Sequence, residues 1–413
     1  MLKIALKLLC PLITIHTLSD DTFSQRHELQ GSLWILPKAL HRSVALMRLE
    51  QPNMTPETTL RFPATTSVVA EKHGGRELPL IIDLCCGLGG ISLAARQLGM
   101  RIAAGVDLTS EALRTFACNF PEADAIETTV AGKRAVECCR FALARRKLAN
   151  EPLVVVSGPP CQGFSAAGTR DPKDRRNNVL LAVARAIVAL EPACALVENV
   201  QTLLSKKHAG RVGQFEANLV EAGYHVMPVQ LNAQDYGVAQ RRSRAFFLIT
   251  KVQLDVTAVS RRFEILKRQQ VSSSQALAGL PDAEPRGIRY NDEDEDAARY
   301  PNHLAMRHSA AVREKIAAIA PGTGPMSYRK LHPERPANTL FSGHRAPPAH
   351  FQFPRSITVR EAARLQGFPD DFRVYGCFAN QMMQVTNAVP PPLARVVLSV
   401  LIEFAGVPLP CHV

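Results

Sequence analysis

The segment Gly158-Pro159-Pro160-Cys161-Gln162-Gly163-Phe164-Ser165 holds the residue best placed to do chemistry. Two prolines restrict the backbone just ahead of a cysteine, a stiff mount for a nucleophile. Cysteines more often serve as small buried hydrophobes, and Cys118 and Cys194 read that way. A loop flanked by Pro and Gly is a poor place to bury a packing residue, so Cys161 reads as reactive. Its thiol must lose a proton to attack, which needs a positive or helix-N-terminal setting. Glu198-Asn199-Val200 supplies a carboxyl. In a dry pocket such a group keeps its proton to higher pH and can share it with a ring nitrogen. Standing alone, the tripeptide would read as a surface glutamate at a strand end. In Gln240-Arg241-Arg242-Ser243-Arg244, an extended backbone would turn Arg242 and Arg244 to one face. Two guanidinium forks could then converge on one carbonyl or phosphate.

A second group of residues suits ligand binding. Asp83-Leu84-Cys85-Cys86-Gly87-Leu88-Gly89-Gly90 is a glycine-rich turn in which the backbone can approach a ligand and present amides. Alone, it could serve a dinucleotide, a phosphate or tight packing. Asp107 follows about twenty residues on, where a carboxylate can accept hydrogen bonds from ribose hydroxyls. Together they point to an adenosyl-type cofactor, without separating nicotinamide from S-adenosylmethionine.

These residues need elements to hold them. Apolar runs at 78–84, 102–106, 153–156, 193–197 and 245–249 read as buried strands. Helical stretches at 91–98 and 110–119 alternate with them, predicting an open α/β sheet with ligands at the carboxyl ends of its strands. Each chemically unusual segment lies beside the end of one of these strands. From about residue 251 the alternation fades into Ser-, Pro- and Gly-rich sequence with an acidic run at 292–296, read as solvated surface. The segment 387–403 turns apolar and helical again, long enough to pack back onto the first domain.

The chain has 413 residues, 46% hydrophobic and 21% charged, ordinary for a globular protein of two domains. Its formal net charge of +12 favours a polyanionic partner. Ten cysteines without paired Cys-x-x-Cys arms suggest neither a disulfide framework nor a zinc site. The start of the chain resembles a secretory signal only weakly, since Lys7 and Pro11 interrupt it, and no apolar run reaches membrane-spanning length. The chain therefore reads as cytoplasmic, with no membrane partner.

In their order these segments resemble the cytosine-5 DNA methyltransferases. The resemblance rests on Asp83 to Gly90, on Gly158 to Ser165, on Glu198-Asn199-Val200 and on Gln240 to Arg244. Later matches are Arg360-Glu361-Ala362-Ala363-Arg364-Leu365-Gln366-Gly367-Phe368-Pro369-Asp370 and Asn387-Ala388-Val389-Pro390-Pro391. The resemblance covers about residues 80 to 400. It implies a Rossmann-like, S-adenosylmethionine-dependent α/β sheet with a smaller, loop-rich target-recognition domain. Residues 77–250, completed by 383–413, would form the catalytic and cofactor-binding domain and 251–382 the recognition domain, after an N-terminal extension at 1–76.

The same resemblance implies residue roles. Cys161 would attack carbon 6 of cytosine, Glu198 would hydrogen-bond ring nitrogen 3 and the exocyclic amine, and Arg242 and Arg244 would contact the carbonyl oxygen, with Gln240 supporting the loop. S-adenosyl-L-methionine would lie against Asp83, Leu84, Gly87, Gly89, Gly90 and Pro159, with Asp107 on its ribose and Asn387 closing the pocket. Double-stranded DNA would be the substrate, with the base flipped out and residues 165–176 closing over it. The short recognition region fits the compact prokaryotic type that often partners a restriction endonuclease acting on the same site. Four departures fall on the cofactor side. Cys85 stands where Phe is usual and Asp107 where Glu is commoner, no Asp stands near Thr128-Thr129, and Thr386 replaces a Gly whose backbone angles a β-branched residue cannot easily take. They motivate a second reading, a DNA-binding module that transfers methyl groups poorly; a third is an enzyme acting on transfer RNA.

Overall fold

The computed structural model describes residues 78–146, 151–160, 178–285, 300–325, 328–341 and 347–408, all within the unit Lys72–Val413. The N-terminal extension, the acidic run at 292–296, Cys161 and the loop 165–176 lie outside the described residues.

Seven strands form one sheet: β1 (Leu80–Leu84), β2 (Arg101–Asp107), β3 (Asp124–Glu127), β4 (Leu153–Ser157), β5 (Cys194–Val200), β6 (His225–Asn232) and β7 (Ser243–Thr250). Their spatial order is β3-β2-β1-β4-β5-β7-β6. The first five run parallel, while β7 is antiparallel to both β5 and β6. The central strands β1 and β4 are buried throughout. Successive side chains of β1 enter different cores, because a strand turns them to opposite faces. Ile81 joins one apolar cluster, and Leu80, Ile82 and Leu84 join the other. Pro228 sits on the edge strand β6, where a missing amide breaks no central ladder.

Helices cover both faces. α1 (Gly90–Gln97), α2 (Ser110–Asn119) and α3 (Lys133–Arg146) follow β1, β2 and β3. α4 (Val179–Leu190) precedes β5, and α5 (Ala209–Glu221) precedes β6. The segments β3, α3, α4, α5 and β6 add to the elements predicted from the sequence pattern.

Residues 251–382 are loop-rich, as expected. They contain α6 (Val256–Ile265), the short α7 (Ser273–Leu277), α8 (Ala310–Ala318), α9 (Val359–Leu365) and the start of α10 (Phe378–Asn387), with isolated bridges between loops. Local capping sets several helix starts. Ser272 with Gln275 and Thr358 with Glu361 form reciprocal capping boxes. The buried Arg360 donates to the carbonyls of Pro301, Pro369 and Phe372, gathering two loop segments around one guanidinium. Phe263, Leu277, Leu331, Phe368 and Phe372 belong to the same apolar cluster as Ile81 of β1.

The C-terminal segment expected to turn helical from 387 does so from 391, after the preceding helix α10 has ended. Asn387 ends α10, and α11 (Pro391–Phe404) starts where proline suits a first helical turn. The stretch Phe378–Phe404 is apolar and long enough to span a membrane, but 72% of its most apolar window is buried, as in a core helix. α11 packs against α1.

The topology locates the site. From β1 the chain moves outward to β2 and β3 on one side, then returns to β4 and β5 on the other. Ligand crevices of open α/β sheets form where that order reverses, outside the carboxyl ends of the strands. Here the reversal lies between β1 and β4, whose carboxyl ends carry the glycine-rich turn and the Gly-Pro-Pro segment.

Candidate active site

β1 delivers Asp83 to the crevice at 1% exposure. Ser92, in the first turns of α1, donates to its Oδ2 at 2.7 Å, while Oδ1 has no hydrogen-bond partner among the described residues. Burial, with the Asp107 charge nearby, pushes the Asp83 carboxyl up to about 7. Gly87 adopts the left-handed φ of 53°, and a Cβ there would meet nothing within 4 Å, so open space lies over the turn. Its amide donates to Asp107 Oδ2 at 2.9 Å, and the Thr109 amide donates to Oδ1 at 2.9 Å. Asp107 is thus fixed at the end of β2 beside the turn. Ser157 of β4 donates its hydroxyl to the Leu84 carbonyl at 2.7 Å, tying the two central strand ends together. Gly89 and Gly90 are close-packed: a Cβ on Gly89 would strike Phe120, and one on Gly90 the carbonyl oxygen of Val389.

The other half of the crevice carries a buried ion pair. Glu198 ends β5 at 7% exposure, and its Oε1 lies 2.8 Å from Arg244 Nε. Arg242, also buried, donates from a terminal guanidinium nitrogen to the Ala388 carbonyl at 3.1 Å. Burial holds the Glu198 carboxyl above its ordinary range, opposed by the charges of Arg244 and Arg242. A Cβ on Gly158 would stand 3.8 Å from Glu198 Oε2. The chain leading into Cys161 therefore passes directly beside this carboxyl. Asn199 donates to the Pro159 carbonyl at 3.2 Å and accepts from the Val200 amide at 2.9 Å, so the β5 end holds the Pro-Pro segment in place. Gln240 is fully buried, and its Oε1 accepts from the Leu340 amide at 3.1 Å.

Asp83, Leu84, Gly87, Gly89, Gly90, Asp107, Pro159, Glu198, Arg242 and Arg244 thus gather around the strand ends, while Cys161 lies outside the described residues. Asn387 is exposed at the end of α10, one residue before the Ala388 carbonyl that receives Arg242. The sequence did not single out Ser92, Ser157 or the positioning bonds of Asn199, because each acts through one hydrogen bond to a distant strand. The backbone of Ala388 and Val389 matters for contacts that carry no residue-type signal at all.

Two expectations need correction. Thr386 is not forced into glycine-like angles: it lies inside α10, its hydroxyl donating to the Met382 carbonyl at 2.8 Å, an ordinary helical back-bond. Cys118 is exposed rather than packed, with Sγ 3.3 Å from the Tyr375 hydroxyl, whereas Cys194 is a core residue as expected. The other departures keep local structural roles. Cys85 takes a left-handed φ of 57°, and burial pushes its thiol up, away from reactivity. Thr129 accepts from the Ala131 amide at 3.2 Å in the turn after β3.

Known proteins resemble this chain over most of its length. Type II methyltransferase M.XorII of Xanthomonas oryzae pv. oryzae is 32% identical over 366 residues, covering 77% of this chain and 83% of its own length. M1.HphI of Haemophilus parahaemolyticus is 28% identical over 351 residues, covering 78% and 86%. A solved structure described as a DNA modification methyltransferase encoded within a prophage (E. coli) matches with TM-score 0.64 at 27% identity, over 79% of this chain and 99% of that one. The S. pombe Dnmt2 methyltransferase shares the fold, with TM-score 0.54 at 16% identity over 79% and 98%. The sequence profile of the family described as C-5 cytosine-specific DNA methylase matches residues 80–403. That match spans every strand of the sheet and both halves of the crevice, and the chain belongs to this family of DNA cytosine methyltransferases.

Proposed function

We propose that this methyltransferase flips a cytosine out of duplex DNA, attacks its carbon 6 with Cys161 and methylates carbon 5 with S-adenosyl-L-methionine. In this reading residues 77–250 and 383–413 perform catalysis and 251–382 recognise the target. The observation that carries it is the buried Glu198–Arg244 pair at the end of β5, with Glu198 Oε2 beside Gly158 on the approach to Cys161. A carboxyl held above its ordinary range by burial can donate to or share a proton with ring nitrogen 3. That interaction draws electron density from the ring as the Cys161 thiolate adds to carbon 6. Arg244, and Arg242 nearby, would stabilise the charge that develops on the carbonyl oxygen. Carbon 5 becomes nucleophilic; after methylation it loses its proton, the carbon–sulfur bond breaks and the thiolate leaves.

The crevice fits the cofactor. The orphaned Oδ1 of Asp83 is a buried acceptor awaiting a donor, the space over Gly87 leaves room for one, and Asp107 stands where a ribose could reach it. Leu84, Gly89, Gly90, Pro159 and Asn387 would complete the binding surface. When bound, S-adenosyl-L-methionine supplies an electrophilic methyl group.

The names of the type II relatives support a restriction-modification role, with an endonuclease acting on the same site as the functional partner. The mechanism is tested by Glu198→Gln in single-turnover methyl transfer to DNA. Losing a positioned proton donor should slow the step by roughly 10²- to 10⁴-fold while cofactor binding by calorimetry is retained. An unchanged rate would remove Glu198 from the chemistry.

A further inference from the structure

Three parts of the crevice meet at one residue that belongs to none of its strands. Val389 lies in the link of Ala388, Val389 and Pro390 between α10 and α11, and it is buried. Its carbonyl oxygen abuts Gly90, at the start of α1 beside the cofactor turn. The carbonyl before it, of Ala388, receives Arg242 from the base pocket at 3.1 Å. Its side chain faces the third part. A Cβ built on Gly158 would stand 3.9 Å from Val389 Cγ2 and 3.8 Å from Glu198 Oε2. Apart from the chain neighbours of Gly158, no other described residue comes within 4 Å of that position.

The link is held at both ends. Ala388 donates its amide to the Gln384 and Val385 carbonyls where α10 finishes, and the Pro390 carbonyl accepts from the Ala394 amide where α11 begins. A residue before proline is pushed towards extended backbone, and a β-branched side chain is stiff at χ1. Gly158, by contrast, is the pliable residue ahead of two prolines whose φ is fixed. A shift at Gly158 would pass through Pro159 and Pro160 to Cys161 instead of being absorbed between them. Asn199 holds the Pro159 carbonyl. On the face of Gly158 where a side chain would stand, that restraint falls to Val389 and Glu198.

We infer that Val389 is a positioning residue for methyl transfer, its side chain fixing by shape where the mount of the nucleophile stands relative to the cofactor turn. This rests on the reading of Cys161 as the nucleophile and S-adenosyl-L-methionine as the methyl donor. Carbon 6 is attacked and carbon 5 is methylated on one ring, so mount and cofactor must be set against each other, and Val389 touches the segments that carry both. A residue that only packs contributes through the apolar surface it buries. A positioning residue contributes through where its methyl groups stand. Threonine separates the two, because it keeps the β-branched shape but buries a hydroxyl. Alanine stays apolar and loses the shape.

The test compares the wild type with Val389→Ala and Val389→Thr in single-turnover methyl transfer to duplex DNA at saturating DNA and cofactor, with Cys161→Ala as the control. Thermal melts and calorimetric cofactor titrations accompany the rates, which are taken well below the lowest melting midpoint so that each variant is folded. Val389→Ala should slow transfer by roughly 10- to 100-fold, since about 1 Å of misplacement can cost 10²-fold, while cofactor affinity is retained. Val389→Thr should lose melting temperature comparably, yet transfer at a rate closer to the wild type than to Val389→Ala. Equal slowing in the two variants, in step with their melts, would mean packing alone and overturn the inference. Weaker cofactor binding with an undiminished saturated rate in Val389→Ala would overturn it too, placing the residue in the binding surface. Transfer that requires Cys161 but is indifferent to Val389→Ala would overturn this inference alone. Transfer that survives in Cys161→Ala would overturn the mechanistic reading, and the inference with it.

Discussion

Replacing Gly90 with alanine tests the joint between the cofactor turn and the C-terminal segment. Gly90 is the first residue of α1 and is buried, and its φ does not lie in the left-handed region. Its backbone would therefore accept alanine, but the added methyl would collide with the carbonyl oxygen of Val389. Backbone cannot rotate away as a side-chain end can, so overpacking here should destabilise by about 1–3 kcal/mol. The same substitution at Gly213, exposed on α5 with nothing within 4 Å of a new Cβ, should instead stabilise by up to about 1 kcal/mol through helix propensity. At roughly 2–4 °C per kcal/mol for a domain of this class, thermal melts should shift in opposite directions. Function should follow only for Gly90→Ala. Moving Val389 displaces the adjacent Ala388 carbonyl from Arg242, and a misplacement of about 1 Å can lower a rate by about 10²-fold. Calorimetric cofactor titration should also show weaker binding. If Gly90→Ala melted at or above the wild-type temperature and bound cofactor normally, the close packing assigned to this joint would be wrong.

Other outcomes follow from the same geometry. The Asp83 carboxyl is raised from 3.8 to about 7, so its protonated form is favoured on folding. Its contribution is fully present below about pH 4 and is lost as pH rises toward 7, about 4 kcal/mol at roughly 1.4 kcal/mol per pH unit. Asp83→Asn should therefore gain stability relative to wild type between pH 4 and 7.5 in paired melts, offset by a constant loss for its unmatched amide; a pH-independent difference would show that the buried carboxyl does not titrate as described. Asn199→Ala leaves the Pro159 carbonyl and the Val200 amide without their bonds, which should cost about 1–3 kcal/mol. Single-turnover methyl transfer should fall more than cofactor affinity does, because the segment leading to Cys161 loses its anchor. Equal losses in both would mean a purely structural role.

Much of this molecule could be read locally, and the remainder could not for identifiable reasons. The run from Asp83 to Gly90 announces a strand, a tight turn and a helix because each step depends on neighbouring residues. Gly158-Pro159-Pro160 announces a rigid loop in the same way. β7 lies between β5 and β6, an order set by pairing between segments about 50 residues apart, to which no local pattern is sensitive. Ser92 looks like any polar residue on a helix until Asp83 is placed opposite it. The misjudged Thr386 shows the converse: a family habit suggested strained backbone, but this chain continues the helix through that position. Cys118 sits on α2 among apolar neighbours in sequence, yet its face of the helix is open.

The central claim is that Cys161, supported by Glu198 and Arg244, forms a covalent bond to carbon 6 of the target cytosine. The most direct measurement incubates the enzyme and S-adenosylmethionine with duplex DNA containing 5-fluorocytosine, where fluorine at carbon 5 blocks the final proton loss. A denaturant-resistant protein–DNA complex should accumulate with the wild type and be absent from Cys161→Ala, with the crosslink mapping to Cys161. A complex that persists in Cys161→Ala, or methylation of ordinary DNA by that variant, would contradict the account.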